Sequence, residues 1–203
     1  MLDEDYKKIT VRHLLNHASG LPGTQWKGFS VTALTKRDYD EEVLNYLANS
    51  HLKAKPGEYS VYCNDGFTLA EIVVARVSGQ RYSDFLRENI TGPIQADSTR
   101  TIEDRNPDFP LVHEKAKPAE LLLVEGTGGL TTSMIDLCKF GQLFLSENPI
   151  LSEASKQEMA KPQGVSFLAQ DQKSPSYGLG WDTVCFSDPD FDLYLFDTSW
   201  FSF

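Results

Sequence analysis

Apolar positions recur at helical spacing over most of the chain and alternate only near its end. VRHLLN, with Thr10 as its N-cap, predicts a short helix that stops at SGLPG. Residues 24–37 lack a clear period and read as loop. DYDEEVLNYLA places acids in its first turn and Val43, Leu44 and Leu47 at helical spacing, so it reads as a helix broken by KAKPGEY. In FTLAEIVVARVSG, Phe67, Ala70, Val73, Val74 and Val77 fall on one side, and Leu69 and Ile72 widen the apolar surface. That pattern predicts a helix buried on most of its circumference, closed by Gly79 in a left-handed C-cap. Ser83 is placed to cap DFLRENI, and residues 95–120 read as an extended excursion. Thr132 or Ser133 caps MIDLCKFGQLFL, and Ser152 caps EASKQEMA before Pro162. YGLGWDTVCF and FDLYLF alternate with aromatic and β-branched residues, as strands do.

Composition narrows this picture. Of 203 residues, 40% are apolar and 24% charged, a globular balance, and the formal net charge is -10. A nucleic-acid partner is disfavoured, because binding needs lysine and arginine to neutralise phosphates. No run reaches the ~18 apolar residues of a membrane span. The charged start, MLDEDYKK, is not a signal segment, and the compartment stays open. Cys63, Cys138 and Cys185 have neither metal-ligand spacing nor an even count, so they read as core thiols.

Four features are candidates for chemistry. Tyr62 and Asn64, in YSVYCND, are two apart between a Pro-Gly turn and an apolar run. On spacing alone they read as a core aromatic and a helix cap, with Asp65 an equally good cap. As a site they would supply a phenol, a poor base at its free pKa of about 10 unless nearby lysines lower it, and an amide that both donates and accepts. His13 and His17 are spaced i and i+4, which suits a metal on one helix face, but no third ligand stands out. His17 at the helix end also suits an imidazolium meeting the C-terminal dipole. Ser50 and Lys53 form the lone Ser-x-x-Lys match, at a fraying helix end rather than a rigid N-terminus. GTGGL, residues 126–130, is either an anion cradle or a turn that lets two backbones approach.

Taken in order, ITVRHLLNHASGLPG, PGEYSVYCNDGFTLAEIVVARVSGQRYSDFLRENITGPI, GTGGLTTSMIDLCKFGQLFL and YGLGW resemble the serine β-lactamase-related family of class C β-lactamases, penicillin-binding-type DD-peptidases and esterases. The resemblance runs from about residue 9 to about residue 181. It implies an α+β fold of the β-lactamase/transpeptidase type, with this chain a single partial domain. Residues 9–170 would be mainly its helical part, and residues 177–203 the start of its sheet, with one or two strands. It implies that Tyr62 is a general base and that Asn64 binds the substrate amide. Leu21 would line one edge of the cleft, and Gly128 and Gly129 would turn near its rim. The substrate would be a small-molecule amide, lactam or ester, with no metal and no cofactor.

Two departures stand beside it. The family's Ser-x-x-Lys nucleophile lies well upstream of HASGL, and only eight residues precede Ile9 here. Its third motif, K-T-G or H-x-G, should follow YGLGW, where the nearest stretch is Asp197-Thr198-Ser199. The chain alone is therefore expected to be inactive. The alternative is a non-catalytic homologue that kept the fold and lost the chemistry.

Overall fold

The computed structural model describes residues 2–25, 30–31, 39–101, 121–165, 176–188 and 191–197. Helices begin where short polar side chains satisfy free backbone N–H groups. Thr10 Oγ1 accepts from His13 N at the start of α1 (Val11–Leu15), and His13 Nδ1 returns a bond to Thr10 N, closing a capping box. Acids fill the first turn of α2 (Tyr39–Ala48), whose Tyr39, Val43 and Leu47 are buried on one face. Ser133 caps α6 (Met134–Leu145) through Asp136 N, and Ser152 caps α7 (Glu153–Ala160) through Ser155 N. Ser133→Ala should lower stability by about 1 kcal/mol, read as a shift in urea midpoint with an unchanged slope.

The central element is α3 (Asn64–Ser78), which packs against α1, α2, α4 (Tyr82–Leu86) and α5 (Glu125–Gly128). It differs from expectation in two ways. First, Cys63 is the N-cap and makes no side-chain cap bond, so Asn64 and Asp65 lie inside the first turn rather than capping it. Second, the expected apolar side is not the buried one. Val73 is 36% and Val77 83% exposed, while Asp65, Gly66, Thr68, Glu71 and Ile72 are buried. The inward polar groups are hydrogen-bonded to other segments: Glu71 Oε2 accepts from Gly126 N at 2.7 Å, and Thr68 meets Thr127 at 2.9 Å. Burial of paired polar groups overrides the hydrophobic period. Gly79 ends α3 at φ 71, as expected.

The core joins α1, α2 and the approach to α3: Leu14, Leu21, Tyr39, Val43, Leu47, Cys63 and Val124 form one buried cluster. Cys63 fits the core-thiol reading, but Cys138 is exposed on α6; the side chain of Cys185 lies outside the described residues. Ser83 does not cap α4; Arg81 holds that position without a side-chain bond, and the helix runs on as a π-turn over Arg87–Thr91.

Short antiparallel pairings tie the loops. β1 (Ser30–Val31) pairs with β2 (Leu121–Leu122), and Arg100 bridges Thr131. Most of the 24–37 loop and of the 95–120 excursion lies outside the described residues. Near the end, β3 (Ser176–Tyr177), β4 (Asp182–Asp188) and β5 (Phe191–Asp197) form an antiparallel sheet with β4 in the middle. The expected strand YGLGWDTVCF is therefore split. Residues 178–181 leave the ladder: Gly178 N–H bonds Trp181 O, Leu179 N–H bonds Met159 O, and Gly180 N–H bonds Leu15 O. The YGLGW segment thus docks on the ends of α7 and α1.

Candidate active site

Three chain segments meet at the N-terminus of α3. The first is the turn after α1. Its residue His17 has a left-handed backbone, φ 58, which histidine tolerates better than most side chains. The second is residues 60–64, leading into α3. The third is the end of β3 at Tyr177. The His17 ring, 5% exposed, lies 4.6 Å from the rings of both Tyr62 and Tyr177 and 5.2 Å from Phe67.

Tyr62 and Asn64 are brought together, with the Tyr62 hydroxyl donating to Asn64 Oδ1. That leaves the Asn64 NH₂ group as the donor able to face a substrate carbonyl. The Asn64 backbone is held on both sides: its N–H bonds Thr24 Oγ1 at 3.2 Å, and its carbonyl accepts from Thr127 Oγ1 at 3.1 Å. Thr127 therefore fixes the glycine segment against Asn64. Gly126 permits the approach, since a Cβ there would lie 2.9 Å from Glu71 Cβ and 3.2 Å from Phe67 O. Part of GTGGL is helical, with Gly128 the last residue of α5 and Gly129 its C-cap. Leu21 is 0% exposed and sits in the core cluster.

Asp65 fastens the neighbouring loop. Both its carboxylate oxygens lie within 3.0 Å of Gln25 N, and the Tyr39 hydroxyl bonds Gln25 O at 2.7 Å. Burial pushes the Asp65 carboxyl up to about 6, against the opposing pull of the Gln25 N–H. Burial holds the His17 imidazole down at about 4, and the Lys53 charge acts in the same direction. His17 is neutral at pH 7, contrary to the imidazolium expected from its place near a helix end.

The histidine pair does not present a helix face to a metal. α1 ends at Leu15, so His13 and His17 do not share a helix face. His13 Nδ1 is engaged by Thr10 N and His17 Nδ1 by Cys63 N, at 3.1 Å. Among the described residues no cluster of three metal-ligating side chains occurs. Ser50 is not activated either: its hydroxyl bonds Tyr46 O at 2.7 Å at the end of α2. Thr198 and Ser199 lie outside the described residues. In the sequence Asp65 reads as a candidate cap and His17 as a candidate metal ligand or imidazolium, and Thr127 has no role of its own beside the glycines of GTGGL. For Thr127 and Asp65 the signal was a polar residue beside glycine; His17, between Asn16 and Ala18, carried no such signal.

A separate cavity of about 360 Å³ lies among Ser83, Arg87, Ala96, Asp97, Arg100 and Thr101, residues other than those of the Tyr62 site. No helix among the described residues is long and apolar enough to cross a membrane.

The family model described as Beta-lactamase matches residues 1–201. "Penicillin-binding protein 4*" of Bacillus subtilis (strain 168) is 25% identical over 199 residues, covering 87% of this chain and 43% of the relative. "D-alanyl-D-alanine-carboxypeptidase/endopeptidase AmpH" of Escherichia coli (strain K12) is 29% identical over 183 residues, covering 85% of this chain and 48% of the relative. The chain thus spans about half the length of the curated relatives it matches. The crystal structure of D-amino acid amidase from Ochrobactrum anthropi SV3 superposes with a TM-score of 0.67 at 22% identity, over 92% of this chain and 58% of that one. A D-stereospecific amidohydrolase from Streptomyces sp. gives 0.68 at 21%, over 89% and 58%. These structures share its β-lactamase/transpeptidase fold. With the four ordered motifs and the matched span, the conclusion is direct: this chain belongs to the beta-lactamase family.

Proposed function

We propose that this chain carries the middle part of a serine acyl-transfer site. In the whole protein it would hydrolyse an amide, with a D-amino-acid peptide or a β-lactam as the favoured substrate class. The observation that carries this reading is the Tyr62–Asn64 contact, held at the start of α3 by Thr24 and Thr127. Tyr62 acts as the general base in its phenolate form: once its own hydroxyl proton has gone to solvent, it takes the serine proton as Oγ attacks the carbonyl carbon, then returns that proton to the leaving amine. Asn64 donates its amide to a carbonyl of the substrate side chain. Water then releases the acyl group from the serine by the reverse proton path. The names of relatives, a D-alanyl-D-alanine-carboxypeptidase/endopeptidase and a D-amino acid amidase, support the choice of an amide on a D-residue.

The nucleophile is not supplied by Ser50, whose hydroxyl is committed to Tyr46 O. This chain by itself is therefore expected to give no covalent adduct with a fluorescent penicillin. The test uses the longest open reading frame that contains it, assayed with fluorescent penicillin, nitrocefin and D-phenylalanine amide. Covalent labelling or turnover is expected, and Tyr62→Phe should cut kcat by ~100-fold, the low end for loss of a positioned acid–base group. Absence of labelling and turnover with all three sinks the proposal. The committed Ser50 also favours a second reading, a non-catalytic binding homologue. In that case the amide still binds, seen as shifts of the Asn64 side-chain amide, without turnover.

A further inference from the structure

We infer that His17 is the positioning residue of Tyr62, gripping the backbone on both sides of it while its ring packs on the phenol. The inference rests on the reading of Tyr62 as the general base and goes beyond it by naming what holds that base in place. Two hydrogen bonds make the grip. Val61 N–H donates to the His17 carbonyl at 2.9 Å, and Cys63 N–H donates to His17 Nδ1 at 3.1 Å. Residues 61 and 63 are the two chain neighbours of Tyr62, so its backbone has little freedom to rotate or slide. The ring contact at 4.6 Å, tilted by 48°, limits the side chain as well. On its other side the imidazole meets the edge of Tyr177.

Three properties of His17 are needed together. Its carbonyl and its side chain both reach the segment 61–63 that leads into α3, from a left-handed backbone. Its Nδ1 offers a lone pair at the distance of a backbone donor, which a phenyl ring does not. Its flat ring fills the space between Tyr62, Phe67 and Tyr177, which a small amide does not. Accepting at Nδ1 also sets the tautomer: the proton of the neutral ring sits on Nε2. Protonating Nδ1 would remove the acceptor, so the grip requires the neutral imidazole.

The test needs no turnover, so it can fail or succeed independently of the proposed activity. In the parent chain, long-range 1H–15N correlation of the imidazole should show Nδ1 bare and Nε2 protonated. A proton on Nδ1 overturns the inference. His17→Asn and His17→Phe divide the two contributions. Asn keeps an acceptor near the Nδ1 position and loses the ring; Phe keeps the ring and loses the acceptor. Amide hydrogen exchange at Cys63 should accelerate roughly tenfold in His17→Phe, the size of one net hydrogen bond, and stay close to the parent in His17→Asn. The Tyr62 ring signals should move in His17→Asn, where the ring contact is lost. Parent-like Cys63 exchange in His17→Phe, or unmoved Tyr62 signals in His17→Asn, would each overturn it. If His17→Phe does not fold, the tautomer spectrum and the Asn variant still decide.

Discussion

Gly20→Ala should cost about 4 kcal/mol of folding stability, the sum of a strained backbone and a blocked side chain. Gly20 has φ 72, and a Cβ built there would lie 2.2 Å from the backbone oxygen of Ala54. That oxygen has no easy retreat. The segment on which it lies is tied back to the same loop by Lys53 N–H to Gly20 O at 2.9 Å and by Gly57 N–H to Ala18 O at 2.8 Å. Gly79 supplies the control, because it has φ 71 and nothing within 4 Å of its would-be Cβ. Gly79→Ala carries the backbone penalty alone, about 1 kcal/mol. Urea unfolding of both variants isolates the steric part by difference. Equal losses at the two positions would show that the Ala54 contact does not matter.

The second large effect is a dependence on pH that the parent chain conceals. His17 has a folded pKa of about 4, below its ordinary 6.5. Its contribution is fully present above 6.5 and is lost as pH falls toward 4, because the unfolded chain takes up the proton first. Asp65 has the opposite sign, with a folded value of about 6 against an ordinary 3.8. Ionising it inside the protein costs stability; that cost is absent below 3.8 and fully present above about 6. Each is worth about 3 kcal/mol at full extent, so over the interval from 6 to 4 they largely offset each other. Asp65→Asn keeps an acceptor for Gln25 N and removes the titration. The variant should be more stable than the parent at pH 7, by up to about 3 kcal/mol, and equal to it near pH 4. Its stability should therefore fall as the solution is acidified through 6, exposing the His17 contribution. Carboxylates elsewhere titrate in both proteins and cancel in the comparison. Denaturation curves at pH 4, 5, 6 and 7 that run parallel for the two proteins would refute it.

These sites also show where pattern reading works and where it does not. Thr10, Ser133 and Ser152 were legible as caps because capping is local: the side chain bonds a backbone group two or three residues on. Gly79 was legible for the same reason. The buried face of α3 was not, because the partners of Asp65, Thr68 and Glu71 are Gln25, Thr127 and Gly126, which no window along the helix contains. A scale that places polar groups outside then selects Val73 and Val77 as the core face, and Val77 is instead 83% exposed. The break of YGLGW from its strand has the same origin, since Gly180 and Leu179 bond to α1 and α7. Tyr62 and Asn64 were legible as a pair only through the order of the motifs around them. The contribution of His17 lay hidden in a backbone angle.

The docking of YGLGW on the end of α1 bears on how the site comes into being. Gly180 reaches Leu15, and nearby Asn16 Nδ2 bonds Gln163 O across 147 intervening steps of chain. Contacts of such long range are entropically expensive and form late. During synthesis the Tyr62 segment and α3 leave the ribosome well before residue 177, so His17 first meets Tyr62 with one wall of its pocket missing. A chain nicked before Tyr177 would lose the ring that packs against His17 at 4.6 Å, leaving Tyr62 and Phe67 as the remaining aromatic neighbours of the imidazole.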